Sequence, residues 1–282
     1  MKRLRVTHST GFRYASDVSA SYNEARMLPT SDERQFVVRS SIDVEPLSSS
    51  HHFTDYWGTQ VVAFDVLAAH RELAITATSL VEVRDAATTG VHAGSEWDSL
   101  VTAAAHSGSC AEHLRYTSLT TPPESLAQRA AQVRGSGNPC ETALSIANAV
   151  RDEMTYESGV TGVRTTAAQA WKNKTGVCQD IAHVVIGALR ATGIPARYVS
   201  GYLHPQKEPA IGDTVTGESH AWVEWYCGEW HGYDPTNRIP IGDRHVRVGH
   251  GRDYNDVTPL RGIYAGPAES ELFVSVSITR EG

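Results

Sequence analysis

The stretch TGVCQDIAHVVIGALRATGIPARYVSGYL (residues 175–203) carries the strongest signals of fold and chemistry in this chain. Apolar side chains follow Cys178 three positions later and then every four positions, at Ile181, Val185 and Leu189. This spacing predicts an amphipathic helix with one face in the core, and Gly193 is a typical end for such a helix. The β-forming residues that follow the glycine predict a strand.

Cys178 lies at the beginning of the predicted helix. The N–H groups and partial positive charge of a helix N-terminus favour a thiolate over a thiol, and they can also donate to a developing oxyanion. Gly176 removes a side chain where a substrate backbone would approach. Gln169 or Trp171 could supply a second oxyanion donor, whereas His183 lies about 140° round the helix from the cysteine and should point elsewhere. The alternative for Cys178 is a small core residue, the usual state of a free cysteine.

The stretch ESHAWVEWYCGEWHGYDPTN (residues 218–237) predicts a β-hairpin that carries His220 and Asp234. A two-residue loop at 228–229 would put these side chains on opposite faces. A three-residue loop at 226–228 ends on the glycine that such loops favour, and it places His220 directly opposite Asp234 at a Cβ separation of about 5 Å. With that loop, the carboxylate would hold the imidazole so that its other nitrogen could accept a thiol proton. Taken singly, the His could be structural and the Asp a turn former.

The rest of the chain predicts an α+β fold, because strands come first, helices follow, and strands return without βαβ alternation. In residues 72–83, six alternate positions from Leu73 to Val83 fall on one side, as in a half-buried strand. Strands are predicted over residues 3–10, 24–30, 35–46, 59–67, 72–83, 196–203, 219–227, 229–234 and 271–280, and helices over 122–135, 139–154, 165–173 and 177–193. The small, polar segment 84–94 predicts a boundary between an N-terminal antiparallel β-sandwich region (residues 1–90) and a second domain (residues 91–282).

The composition of the chain argues against two classes of binding partner. The formal net charge of the 282 residues is -7, and no long basic stripe exists to replace the counterions of phosphates. We therefore expect neither a nucleic-acid partner nor an anionic membrane surface. The beginning of the chain has basic residues but no apolar segment after them, and no stretch has the length of a transmembrane helix, so the predicted location is cytoplasmic.

The four cysteines are scattered without a CxxC pair, which predicts neither a disulfide framework nor a zinc site. We expect the cysteines other than Cys178 to be inert. The histidines at positions 51, 52, 204, 245 and 250 lack a metal-binding pattern and are predicted to be solvated or in loops. No cofactor and no metal are expected, and the sequence does not indicate an oligomeric state.

The two stretches quoted above resemble the transglutaminase-like superfamily of cysteine enzymes, which has a papain-like core. The likeness rests on the G-x-C helix start, the H-A-W strand and the D-P-T turn, in that order. Residues 245–266 resemble a third signature of the bacterial members, and the first third of the chain resembles the β region often attached to them. The acidic cluster at residues 253–256 has no EF-hand pattern and predicts a turn.

The resemblance implies that Cys178 is the nucleophile, His220 the general base and Asp234 the third member of a triad. It implies attack on a carboxamide to form a thioester, which water or an amine then resolves. The function predicted is a cysteine peptidase or amidase that acts on a peptide or protein substrate. Transamidation of glutamine, or a binding protein on an inactive enzyme fold, are the alternatives.

Overall fold

The computed structural model describes residues 1–85, 96–135, 137–217, 219–266 and 269–282. The strands are β1 (Lys2–Val18), β2 (Ala20–Ala25), β3 (Gln35–Glu45), β4 (Ser49–Thr54), β5 (Gln60–Val66), β6 (His70–Val83), β7 (Thr155–Tyr156), β8 (Thr175–Gly176), β9 (Ala196–Leu203), β10 (Thr214–Gly217), β11 (His220–Tyr226), β12 (Trp230–Asp234), β13 (Ile239–Pro240), β14 (His245–Gly251), β15 (Leu260–Ala265) and β16 (Ser270–Arg280). The helices are α1 (Trp97–His106), α2 (Gly108–Glu112), α3 (Glu124–Val133), α4 (Pro139–Glu153), α5 (Ala167–Asn173) and α6 (Cys178–Ala191), with a 3₁₀ turn at Tyr254–Asp256.

The N-terminal region is an antiparallel β-sandwich. One sheet has the strand order β10-β16-β1-β6-β3 and the other the order β15-β2-β5-β4. Side chains from both sheets, such as Phe64 of β5 and Ile75 of β6, share one apolar core. The predicted alternation in β6 is confirmed, since all six positions from Leu73 to Val83 are at most 2% exposed. Burial of every second side chain on one face stabilises such a sheet.

Three strands of these two sheets come from the second half of the chain. β16 pairs with β1 along its whole length, β10 pairs with β16, and β15 pairs with β2. The sequence predicts a strand at 271–280 but places it in the second domain. Most of the predicted boundary segment 84–94 lies outside the described residues, so the division between residues 90 and 91 stays a prediction.

The second layer is a five-stranded antiparallel sheet, β13-β12-β11-β9-β14, with helices packed against it. Helix α6 is the central helix of this layer, and it contacts α3, α4 and α5 as well as β9 and β11. Ile181, Val185 and Leu189 are fully buried as predicted, but the opposite side of the helix is buried too. A helix that is covered on all sides is a core element, so the prediction of one buried stripe was too narrow.

The structure also differs from the sequence prediction at short elements. Strand β4 and helices α1 and α2 were not predicted, and β2 begins and ends about five residues before the predicted strand at 24–30. Strand β4 (SSHHFT) is exposed at every position, so it has no apolar alternation that could reveal it. The cluster at 253–256 forms the predicted turn, in which the Asp253 carboxylate accepts from the Asn255 N–H.

The expectation that no disulfide would form was wrong. Cys140, near the beginning of α4, is bonded to Cys227 in the turn between β11 and β12, with a Cα–Cα distance of 5.7 Å. Two cysteines 87 residues apart carry no spacing signal, and only the packing of α4 beside the hairpin brings them together. Stable disulfides are unusual in reducing compartments, and the cytoplasmic location stays a prediction. No helix in the described part of the chain is long and apolar enough to cross a membrane.

Candidate active site

Cys178 is the first residue of α6, and Asp180 holds this helix start in place. The Asp180 carboxylate accepts hydrogen bonds from the Val177 N–H at 2.8 Å and from the Thr161 hydroxyl at 2.6 Å. Val177 has no side-chain oxygen to cap the helix, so this carboxylate satisfies a terminal N–H instead. Burial raises the pKa of Asp180, and these two hydrogen bonds offset only part of the increase.

Gly176 has a packing role that differs from the predicted one. A Cβ atom built on it would lie 2.6 Å from the Cβ of Asp180 and 2.8 Å from its Oδ2. The space beside this glycine is therefore occupied by the capping carboxylate, and it is not left open for a substrate backbone. Any larger residue at position 176 would displace Asp180 and disturb the helix start.

The hairpin of β11 and β12 brings His220 and Asp234 together, but in a register that the sequence did not predict. Val223 pairs with Tyr233 and Tyr226 with Trp230, around a three-residue loop at 227–229. In this register Asp234 lies two residues away from the position opposite His220. The two residues are diagonal neighbours on the same face, within reach of a long side chain such as histidine.

The imidazole Nε2 of His220 lies 2.7 Å from Oδ2 of Asp234. Burial lowers the pKa of His220, but hydrogen bonds to Asp234 and Cys178 outweigh burial and raise this pKa to about 10. Since Nε2 faces the carboxylate, Nδ1 is the ring nitrogen left for the thiol. The structure thus brings the three residues predicted from the sequence into one connected group, in the order thiol, imidazole, carboxylate.

Asp234 is fully buried and remains ionised because several donors surround it. Asn237 donates its backbone N–H at 3.1 Å and its amide Nδ2 at 2.7 Å to the carboxylate. Burial raises the pKa of Asp234, but hydrogen bonds with His220, His245 and Asn237 hold it well below its ordinary value. The sequence analysis did not identify Asn237, although its position three residues after Asp234 is the usual spacing of a side chain that closes a turn.

His245 was predicted to be solvated or in a loop, and the structure contradicts this. Its side chain is 1% exposed, and its Nε2 lies 3.6 Å from Oδ2 of Asp234. Its Nδ1 accepts the N–H of Gly242 at 3.2 Å, so the ring is neutral and its proton is on Nε2, facing the carboxylate. Burial lowers the pKa of His245 in agreement with this. His204 lies in the loop after β9, as one of the predicted alternatives has it, but its side chain is fully buried and not solvated.

The site opens into a cavity of about 640 Å³ between the helical layer and the N-terminal sheet. Cys178, Gln179 and His220 line one side of it, and strands β1, β10 and β16 line the other. Further residues that line the cavity are Arg151, Tyr156, Val163, Tyr198, Ser200, Leu203, Thr236, Asn237 and Tyr254. A cavity of this volume is large enough for several residues of a peptide or for a small molecule.

Tyr198 is a buried tyrosine whose hydroxyl interacts electrostatically with Cys178. Its side chain lines the cavity. Burial, and then the negative charge of a Cys178 thiolate, raise the pKa of Tyr198 well above its ordinary value, so its hydroxyl keeps its proton. The predicted donors are used elsewhere, since Gln169 caps α5 and Trp171 donates to the Ser125 hydroxyl.

His183 points away from the triad as predicted. Its Nε2 accepts the N–H of Tyr254 at 3.2 Å, and its ring packs 5.1 Å from that of Tyr198. Burial lowers the pKa of His183 to about 3, so the ring is neutral at ordinary pH.

One group of possible metal ligands is present in the described residues. Atoms of Cys140, Cys227 and His231 lie within 4.8 Å of one another. The two sulfur atoms are bonded to each other, however, and a disulfide offers no thiolate to a metal.

Comparison with known proteins supports the family assignment made from these residues. The family model of the transglutaminase-like superfamily matches residues 126–235, which contain Cys178, His220 and Asp234, and that of the bacterial transglutaminase-like N-terminal region matches residues 4–82. The chain belongs to the transglutaminase-like superfamily. An uncharacterized protein of Mycobacterium leprae is 40% identical to this transglutaminase-like protein over 282 residues, 99% of each chain. An uncharacterized protein of Mycobacterium tuberculosis is 35% identical over 98% of this chain and 92% of its own.

Two further comparisons bear on fold and reaction. A crystal structure from Cytophaga hutchinsonii, described provisionally as that of a cysteine protease, matches this superfamily member with a TM-score of 0.76. The match covers 99% of this chain and 98% of that one at 20% identity, which shows a common fold. A protein-glutamine gamma-glutamyltransferase of Pseudomonas aeruginosa is 37% identical over 70 residues, 23% of this chain and 10% of its own length.

Proposed function

We propose that this chain is a cysteine hydrolase that cleaves a peptide or carboxamide bond through a thioester on Cys178. The observation that supports this most is the connected group of thiol, imidazole and buried carboxylate at the wall of a cavity. Burying an aspartate beside a histidine has a desolvation cost, and such a buried pair often adds little net stability. Activation of the Cys178 thiol is a function that explains why this protein has the buried His220–Asp234 pair.

The proposed reaction has two halves. His220 holds the proton of Cys178, and the thiolate attacks the carbonyl carbon to give a tetrahedral oxyanion. The C–N bond then breaks as His220 gives that proton to the leaving amine, and a thioester remains on Cys178. Water attacks the thioester and gives a proton to His220, the C–S bond breaks, and the proton returns to the sulfur as the acid leaves.

Transamidation is the second candidate, and it is favoured by the short match to a protein-glutamine gamma-glutamyltransferase. In that reaction an amine replaces water in the second half, and the thioester becomes a new amide. The first half, and the roles of the three residues in it, are the same. The two reactions therefore differ only in the acceptor that reaches the thioester.

A panel of glutamine-containing peptides, with and without a labelled primary amine, tests both reactions. We expect release of ammonia or of a cleaved peptide by the unchanged protein and by a Cys110→Ala control, and none by Cys178→Ala. Cys110 is the matched control because it is the other free cysteine in the described residues. Incorporation of the amine without release of acid would favour transamidation, and full activity of Cys178→Ala would refute both proposals.

We also propose that the Tyr198 hydroxyl donates a hydrogen bond to the oxyanion, and Tyr198→Phe tests this. Because the variant loses one donor to a charge that develops only in the transition state, kcat should fall by about 10²- to 10³-fold with little change in KM. Alkylation of Cys178 by iodoacetamide should stay at the rate of the unchanged protein. An unaltered kcat would exclude the role, and a parallel loss of alkylation would assign the hydroxyl to the thiol instead.

The pH dependence of kcat/KM tests the role of Asp234. Since the pKa of His220 is raised to about 10, its imidazolium persists from acid pH until the pH approaches that value. The activity should therefore fall on the alkaline side only as pH rises through about 10. In Asp234→Asn only Cys178 still offsets the effect of burial, so the pKa of His220 drops and the alkaline limb moves to lower pH. If the alkaline limb of this variant stays at the same pH, Asp234 does not raise the pKa of His220.

A further inference from the structure

The cavity has a wall that the three catalytic candidates do not explain. Alternate residues of β16, Leu272, Val274, Val276 and Ile278, all line it and therefore share one face of the N-terminal sheet. Val276 and Ile278 are at most 4% exposed, because they pack against core strands at side chains such as Tyr202. Leu272 and Val274 continue the same face but are 54% and 43% exposed.

This face is exposed at the beginning of β16, at Leu272 and Val274. β10 pairs with β16 only from Thr279 to Val276, and it ends at Gly217, three residues before His220. On the β10 side of β16, no described strand pairs with residues 270–275, whereas β1 pairs with them on the other side. Among the described residues, an unpaired strand edge and an apolar face therefore lie side by side, at the cavity that His220 also lines.

The wall is also neutral. Arg151 is the only Lys, Arg, Asp or Glu among the described residues that line the cavity, and it donates to the carbonyls of Thr236 and Met154. His8 lies on the wall, and burial lowers its pKa to about 4, so it is uncharged at neutral pH. The Thr10 hydroxyl donates to the carbonyl of Phe273 and is already satisfied.

We propose that Leu272 and Val274 form a subsite for an aliphatic side chain of an extended peptide substrate, close to the amide that Cys178 attacks. This inference rests on the proposed function and names its substrate class. A peptide that runs along the free edge of β16 would add one strand to the sheet, and its alternate side chains would lie on the same face as these two residues. A charged side chain there would lose its hydration without gaining a partner.

The binding test uses Cys178→Ala, which cannot turn the peptide over. Fluorescent glutamine peptides carry a single Leu, or a single Asp, at each of the four positions on either side of the glutamine, and Kd is measured by anisotropy. At one or two positions the Leu peptides should bind about 10- to 100-fold more tightly than the Asp peptides. Leu272→Asp in the same background should remove this preference.

Leu67→Asp is the matched control, because Leu67 is 55% exposed and does not line the cavity. This variant should keep the preference for Leu. Equal binding of Leu and Asp peptides at every position, no binding of any peptide, or an equal effect of the two variants would overturn the subsite.

A second measurement separates this inference from the proposed function. In an active background, Leu272→Asp should shift kcat/KM towards peptides with Lys at the selected position, because an ion pair replaces the apolar contact. Turnover that depends on Cys178 but shows no side-chain preference would refute the subsite alone. Binding preference without any turnover would refute the hydrolase and keep the subsite.

Discussion

Replacing His220 by glutamine should lower kcat by about 10⁴-fold or more. The variant removes the base that takes the thiol proton, the acid that protonates the leaving amine, and the partner of a buried carboxylate. Since these contributions act on one transition state, their losses do not add up separately. Activity is measured on the peptide that the unchanged protein cleaves best, and alkylation of Cys178 by iodoacetamide at pH 6 provides a second readout that needs no substrate.

The alkylation experiment separates an enzyme from an inactive member of the superfamily. An ordinary thiol has a pKa of about 8.5 and reacts little at pH 6. With an imidazolium beside it, Cys178 should react readily in the unchanged protein and slowly in His220→Gln. His231→Gln is the matched control, because His231 lies on the same hairpin, in β12. Slow labelling of the unchanged protein, at the rate of His220→Gln, would favour a binding protein on an inactive fold.

The sequence was sufficient for the fold class and for the three residues of the candidate triad, because local patterns carry them. The alternation in β6 and the apolar spacing in α6 predict both elements and their buried sides. The predicted placement of His220 and Asp234 on one face was correct, although the observed register is shifted by two residues from the predicted one. A register shift of one residue moves a side chain to the other face of the sheet, whereas a shift of two leaves it on the same face.

What the sequence could not supply depends on contacts between distant segments. The pairing of β16 with β1 joins residues more than 250 positions apart, and no local pattern selects that partner among several exposed edges. The burial of His245 behind Asp234 follows from the pairing of β14 with β9, and the bond between Cys140 and Cys227 from the packing of α4. Each of these contacts forms only when the sheets and helices around it have packed together, so no short stretch of sequence predicts it.

Arg190→Met should lower the free energy of unfolding by about 4 kcal/mol and Tm by about 10 °C. The Arg190 side chain is buried, and its guanidinium donates to the carbonyls of His113, Arg115, Ala196 and Arg252 and to the Thr120 hydroxyl. Methionine has a similar length and fills much of the space, so the loss comes mainly from acceptors left without donors. Equilibrium unfolding in urea measures the effect.

The reason for this large effect is that one buried guanidinium supplies the donors for carbonyls of several separate segments. It lies in the last turn of α6, the helix that begins with Cys178, and it reaches both β9 and the segment just before Tyr254 at the cavity. Burial lowers the pKa of Arg190 to about 10, and Asp253 opposes this decrease, so the side chain is charged at neutral pH. Arg261→Met is the control, because Arg261 is 53% exposed in its ion pair with Glu24 and should cost less than about 1 kcal/mol. If the two variants unfold at the same urea concentration, the buried guanidinium does not hold these segments together.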